Sequence, residues 1–191
     1  MNKEILKNLI LKCEENNARV RAMVCDMGNR KLLSELKVYT YSHWFTNPCD
    51  SSRKVYIFAD IPHCFKNMRN HTLDYSMVIK SSESKTIIIS KTMFQNLIDV
   101  ENVGTLKLCP KLSDIHINVR GHDRQRVKYA TQLFSQTVGK ALKFIYGETY
   151  SEQADIIIKL DQFFDVMNSS STWDSKDCKC GLGGHHYFCQ L

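Results

Sequence analysis

The 191-residue chain is 43% apolar and 24% charged, the balance of an ordinary globular protein of one domain or parts of two. Its net charge of +6 and pI near 8.8 permit contact with nucleic acid without requiring it. No run of about 18 apolar residues occurs, which argues against a membrane-spanning helix, and charged residues interrupt the N-terminal apolar positions, unlike a signal peptide.

Glu4 to Asn17 carries an amphipathic stripe, Ile5, Leu6, Leu9, Ile10 and Cys13, and is predicted to be a helix. Arg19 to Cys25 is predicted to be a short strand ended by Asp26, and Met27-Gly28-Asn29 a turn. A helix is expected from Arg30 to Leu36. Tyr39 to Arg53 reads as irregular, with Asn47-Pro48 and Asp50-Ser51-Ser52 as turn signals. Val55 to Ala59 is an apolar strand ended by Asp60, and Pro62 and His63 open a helix behind it. Strand and helix alternate, so a largely parallel α/β sheet is expected, with Asp26 and Asp60 on one edge if their strands are neighbours.

From Ser81 the pattern changes. Thr86 to Ser90 is a candidate strand and Thr92 to Val100 a helix. His122 to Tyr146 reads as one long amphipathic helix. Ser151 to Met167 reads as a second, capped by Ser151 and apolar enough through Ile156, Ile157 and Ile158 for burial on most sides. Asn168 to Ser171 stops it. The expected organisation is residues 1–85, then 86–172, then a disordered Cys/His-rich tail over 173–191. Of the eight cysteines, Cys13, Cys25, Cys49, Cys64 and Cys109 read as small buried hydrophobes of a reducing compartment.

The segments AMVCDMGNRKLLSELKV, WFTNP and SRKVYIFADIPHCFKNMRNHTLD resemble transposases of the P element type, including transposase-derived proteins with a THAP domain. The later RVKYATQLFSQTVGKALKF and LDQFFDVMNS resemble the helical insertion of the same family. The resemblance covers most of residues 1 to 172 and looks like an internal fragment of such an enzyme. It implies part of an α/β RNase H-like catalytic domain followed by part of a mainly α-helical insertion domain that binds GTP. It also implies DNA cleavage and strand transfer with two Mg²⁺ ions held by three separated acids. Two metals clamp the attacking and leaving oxygens, and Mg²⁺ prefers carboxylate oxygen.

On that resemblance Asp26 matches one catalytic, metal-binding acid, and the other two are expected outside this chain. Asp60 and His63 match a motif adjacent to the site. The partner implied is DNA at transposon ends, with a homo-oligomer expected, no membrane, and the nucleus as location. For GTP there is no P-loop motif; Lys111, Lys128 and Ser135 are candidates for phosphates and Asp165 for a guanine edge.

Each feature has a plainer alternative. Asp26 can cap the turn after its strand. Asp60 can cap the following helix, and His63 can be a satisfied imidazole. Lys66, Arg69, Arg124, Arg126, Lys128, Lys140 and Lys143 can meet phosphates or simply face water. Cys178, Cys180, His185, His186 and Cys189 are zinc-capable types whose spacing matches no known zinc module, so tail zinc is not expected. The function expected is that of a P element-type transposase fragment inactive alone; the alternative is a domesticated, non-catalytic nucleotide- or DNA-binding protein.

Overall fold

The structure is a computed structural model that describes residues 2–26, 28–39, 41–80, 85–169 and 179. It is a mixed α/β protein that divides into two compact units, Met1–Asp60 and Ile61–Leu191. Among the described residues no helix is long and apolar enough to cross a membrane. The Cys/His cluster of the tail, apart from its neighbour Lys179, lies outside the described residues.

In the first unit α1 (Lys3–Glu15) starts at Asn2, whose side chain accepts the Ile5 N–H at 3.0 Å. It buries Leu6 and Ile10. The strand β1 (Ala22–Cys25) follows, then α2 (Arg30–Glu35), capped by Asn29 through the Leu32 N–H. The segment expected to be irregular instead holds a hairpin, β2 (Trp44–Asn47) and β3 (Asp50–Ala59). Its turn signals mark the hairpin's turn, and the polar start of β3 hides the strand from an apolar pattern.

The sheet order is β1-β3-β2, with β1 parallel to β3 and β2 antiparallel. Alternation along β3 sends Val55 and Ile57 into a core with Leu6, Ile10, Leu32, Leu36, Val38 and Phe45. Val24, Tyr56 and Phe58, on the other face, are exposed. A polar brace closes the end of this unit. The Glu14 carboxylate accepts from both Arg53 Nη atoms, at 2.7 and 3.1 Å, from Asn47 Nδ2 at 2.9 Å and from the Val20 N–H at 3.0 Å. The Arg53 and then the Asn47 bonds pull its pKa from 4.5 to about 2.

The second unit opens with α3 (Ile61–Tyr75), which buries Phe65, Arg69 and Thr72 at helical spacing. An antiparallel hairpin, β4 (Met77–Lys80) and β5 (Thr86–Ile89), follows. Next comes α4 (Lys91–Val103), capped by Ser90. Both α3 and this hairpin pack with the second unit, so the packing divides the chain ahead of residues 80 to 85. The long helix expected from His122 is broken: a 3-10 turn spans Gly121–Gln125, α5 Val127–Leu133 and α6 Gln136–Tyr146. Ser135 sits in the break as the N-cap of α6, its hydroxyl accepting the Val138 N–H.

The last helix is α7 (Ser151–Met167), whose N-cap position is Tyr150, not Ser151. Ala154 and Ile157 are its buried residues, so the expectation of burial on most sides is corrected. The core gathers Phe65, Phe94 and Phe134 in edge-on contacts, with Leu97, Leu133, Leu142 and Ile157. Where α6 crosses α7, Gly139 leaves no room for a side chain: a Cβ there would lie 2.6 Å from Ile158 Cγ1 and 2.9 Å from the Ala154 carbonyl. Of the cysteines expected to be buried, Cys109 is buried and Cys25 and Cys64 are half-buried, but Cys13 and Cys49 are exposed, which corrects the expectation for those two.

Candidate functional site

In the first unit the carboxyl ends of β1 and β3 meet. Cys25 pairs with Ala59, and the Asp60 N–H donates to the Cys25 carbonyl at 2.8 Å. Asp26 and Asp60 therefore leave neighbouring parallel strands at the same edge, as the alternation predicted. Asp26 is exposed, and its Oδ1 accepts the Gly28 N–H at 3.0 Å, the turn-capping role. Among the described residues no cluster of three or more His, Cys, Asp or Glu side chains could hold a metal. His63 stands in the first turn of α3, at the start of the second unit.

The second unit contains a cavity of about 370 Å³, within the size range of small-ligand sites. Its walls come from separate stretches. The 109–112 loop brings Cys109, Pro110, Lys111 and Leu112. The end of α5 brings Thr131 and Gln132, the start of α6 brings Ser135, Thr137 and Val138, and α7 brings Asp161 and Asp165. Lys179 completes the described lining, with its Nζ 3.9 Å from Asp165 Oδ1. The fold thus brings together Lys111, Ser135 and Asp165 of the sequence candidates. Lys128, exposed on α5, is not in this lining.

Buried polar groups hold the walls in place. Glu101 on α4 is 7% exposed, and its carboxylate accepts the Leu108 and Cys109 N–H groups at 3.0 and 2.9 Å. It suspends the loop that carries Lys111. Burial pushes the Cys109 thiol up to about 12, so it is a packing group, not a nucleophile. His116, also buried, contacts Gln132 Oε1 through Nε2 at 2.9 Å.

At α6 the positive end of a helix faces the cavity beside a lysine and hydroxyls, while the two acids of α7 stand four residues apart on one helical face. The arrangement suits a ligand with an anionic end and a hydrogen-donating end. Sequence reading missed Asp161, Gln132, Glu101 and His116. The Asp161–Asp165 spacing was a usable signal; Gln132 had none.

Several basic residues weighed as phosphate contacts are committed inside the fold. Arg69 is wholly buried and donates to the carbonyls of Asp123, Arg124 and Arg126 and to Asn70 Oδ1. Burial lowers its pKa. Arg124 pairs with Asp74, whose pKa falls in consequence, and Lys143 pairs with Asp155 at 2.6 Å.

Comparison with known proteins is consistent with this geometry. A family model described as the TNP-like, GTP-binding insertion domain matches residues 62–180. A curated relative, the transposable element P transposase of Drosophila melanogaster, is 33% identical over 191 residues, 96% of this chain and 25% of that protein. A solved structure, the Drosophila P element transposase strand transfer complex, aligns at a TM-score of 0.86 with 30% identity, over 97% of this chain and 42% of that one. The chain therefore spans a quarter of the curated relative and less than half of the solved one.

Proposed function

Because the chain belongs to the family of the TNP-like, GTP-binding insertion domain of P element-type transposases, we propose that its second unit binds GTP in the cavity between α5, α6 and α7. The observation that carries this is the convergence of Lys111, Ser135 and Asp165, from three separate stretches, on one cavity. Lys111 and the first amides of α6 would take the phosphates. Asp165, with Asp161, would accept from the N–H groups of the guanine edge. Lys128, outside the described lining, is assigned no part in this binding.

Titration with a fluorescent GTP analogue tests this. Asp165→Asn and Lys111→Ala should each weaken binding about tenfold or more, the size of a lost hydrogen bond to a charged group. Unlabelled ATP should compete poorly. Absence of GTP binding, or binding indifferent to both substitutions, would overturn the proposal.

Residues 1–85, which take in the first unit and also α3 and β4 of the second, are proposed as part of an RNase H-like catalytic domain, ahead of the insertion domain over 86–172. Asp26 would serve as its metal-binding acid, and Asp60 and His63 match a motif that the family resemblance implies is adjacent to the site. In the whole transposase this would serve cleavage and transfer of DNA at transposon ends in the nucleus, by an oligomer, with Mg²⁺ as the metal. The described carboxylates do not by themselves fit a two-metal clamp, which needs more donors than one edge supplies here. The 191-residue chain by itself is therefore expected to bind nucleotide or DNA without cutting. Nicking of terminal-repeat DNA in Mg²⁺ that disappears in Asp26→Ala would overturn that expectation.

A further inference from the structure

The geometry points to Gln132 as the group that reads the base in this cavity, and to His116 as the positioning residue that decides which end of the Gln132 amide faces the ligand. The inference rests on the guanine-nucleotide reading above.

His116 is 3% exposed, and its ring packs edge-on against Tyr129 at 5.1 Å. Ser113 brings two donors to its Nδ1, the backbone N–H at 3.2 Å and the hydroxyl at 3.3 Å, against one acceptor, its carbonyl at 3.1 Å. A backbone N–H can only donate and a carbonyl can only accept, so the two backbone contacts cannot both be hydrogen bonds; we assign the lone pair to Nδ1, where it meets two donors instead of one acceptor. The ring proton then sits on Nε2, which donates to Gln132 Oε1 at 2.9 Å. With its oxygen engaged from behind, Gln132 has its –NH₂ left to present to the cavity it lines.

A fixed donor beside the carboxylates of Asp161 and Asp165 complements guanine: O6 accepts, while N1–H and the 2-amino group donate. Adenine carries an amino group at position 6 and a bare N1, so it would set donor against donor. Lys111 can donate to any acceptor in reach. The polarity of Gln132 is set by a partner inside the fold.

The test uses the full chain with three probes: GTP, the 2,6-diaminopurine riboside triphosphate, which has an amino group in place of O6, and inorganic triphosphate. Gln132→Glu keeps an acceptor for His116 Nε2–H but offers the base an acceptor. It should weaken GTP at least tenfold and cut the preference for GTP over the diaminopurine nucleotide at least tenfold. Inorganic triphosphate should bind as before. His116→Phe keeps the ring packing but frees the amide, and should erode the same preference several-fold, again sparing inorganic triphosphate. In wild type, a long-range proton–nitrogen NMR spectrum should show His116 protonated at Nε2.

Wild-type protein that fails to bind GTP overturns both this assignment and the cavity's role. GTP binding with an unchanged preference in Gln132→Glu overturns this assignment alone. An Nδ1-protonated His116 overturns its positioning role even where the variants fail to fold.

Discussion

The main charged ties of the two units are buried to different depths. The first covers one face of a small sheet with α1 and α2, and ties its end with Glu14, Arg53 and Asn47. The Glu14–Arg53 pair is partly open to solvent, at 11% and 22% side-chain exposure. The second buries its polar ties, Arg69 at 0% and Glu101 at 7% exposure, and uses them to hold loops against a helical core. Placement should decide sensitivity: a buried polar group leaves stranded partners when removed, whereas an exposed one leaves groups that water can satisfy. The candidate sites divide the same way. Asp26 stands exposed at a sheet edge, whereas half-buried Ser135 and Asp165 line a cavity together with exposed Lys111.

The strongest way to break this contrast is Arg69→Ala. It strands the carbonyls of Asp123, Arg124 and Arg126 and should cost about 3 kcal/mol. Amide hydrogen exchange should show protection lost in α3 and α5 and kept in β1 and β3; equal loss in both units would remove the contrast. Glu101→Gln comes next. It keeps one acceptor oxygen for two N–H groups, should cost about 1–2 kcal/mol, and should weaken GTP several-fold by loosening the loop that carries Lys111.

Smaller again is an acid effect confined to the first unit. The folded pKa of Glu14 is depressed from 4.5 to about 2 by Arg53 and Asn47. Its contribution is therefore full above the ordinary value and lost as pH falls toward 2. Asp50, also depressed through Ser52 and then Arg53, acts in the same direction. Protection of β1 and β3 should decline over that range, and Glu14→Gln should flatten the decline. The smallest expected effect is that of Lys143→Ala on α6. Its exposed pair with Asp155 should be worth no more than about 0.5 kcal/mol in a melt.

What the sequence disclosed follows from where periodicity is clean. The strands ending at Asp26 and Asp60 were legible because a short apolar run followed by a turn or a Pro has few other solutions. Their parallel pairing then put both acids on one edge. The β2–β3 hairpin was hidden because Asp50 to Lys54 is polar outside the apolar half of its strand. The break at Ser135 was hidden because the apolar stripe of α5 runs on into α6, although a serine three residues before Val138 is a cap signal.

Arg69 shows the limit for function. Composition groups it with surface cations, yet its spacing from Phe65 and Thr72 puts it on the inward face of α3. Three of the four nucleotide candidates converge, but nothing in one dimension marks Gln132, because its orientation depends on His116 from a loop before it.

The close approach at Gly139 carries a further consequence. The start of α6 and the C-terminal part of α7 are two walls of the cavity, and the approach of these helices is limited by the Ala154 carbonyl beside Gly139. Adding one methyl group there, in Gly139→Ala, would push the helices apart and widen the slot between Ser135 and Asp165. The gauge of this site is thus cut by a residue that lines no part of it, so a change in which ligand fits can arise without altering any group that meets the ligand.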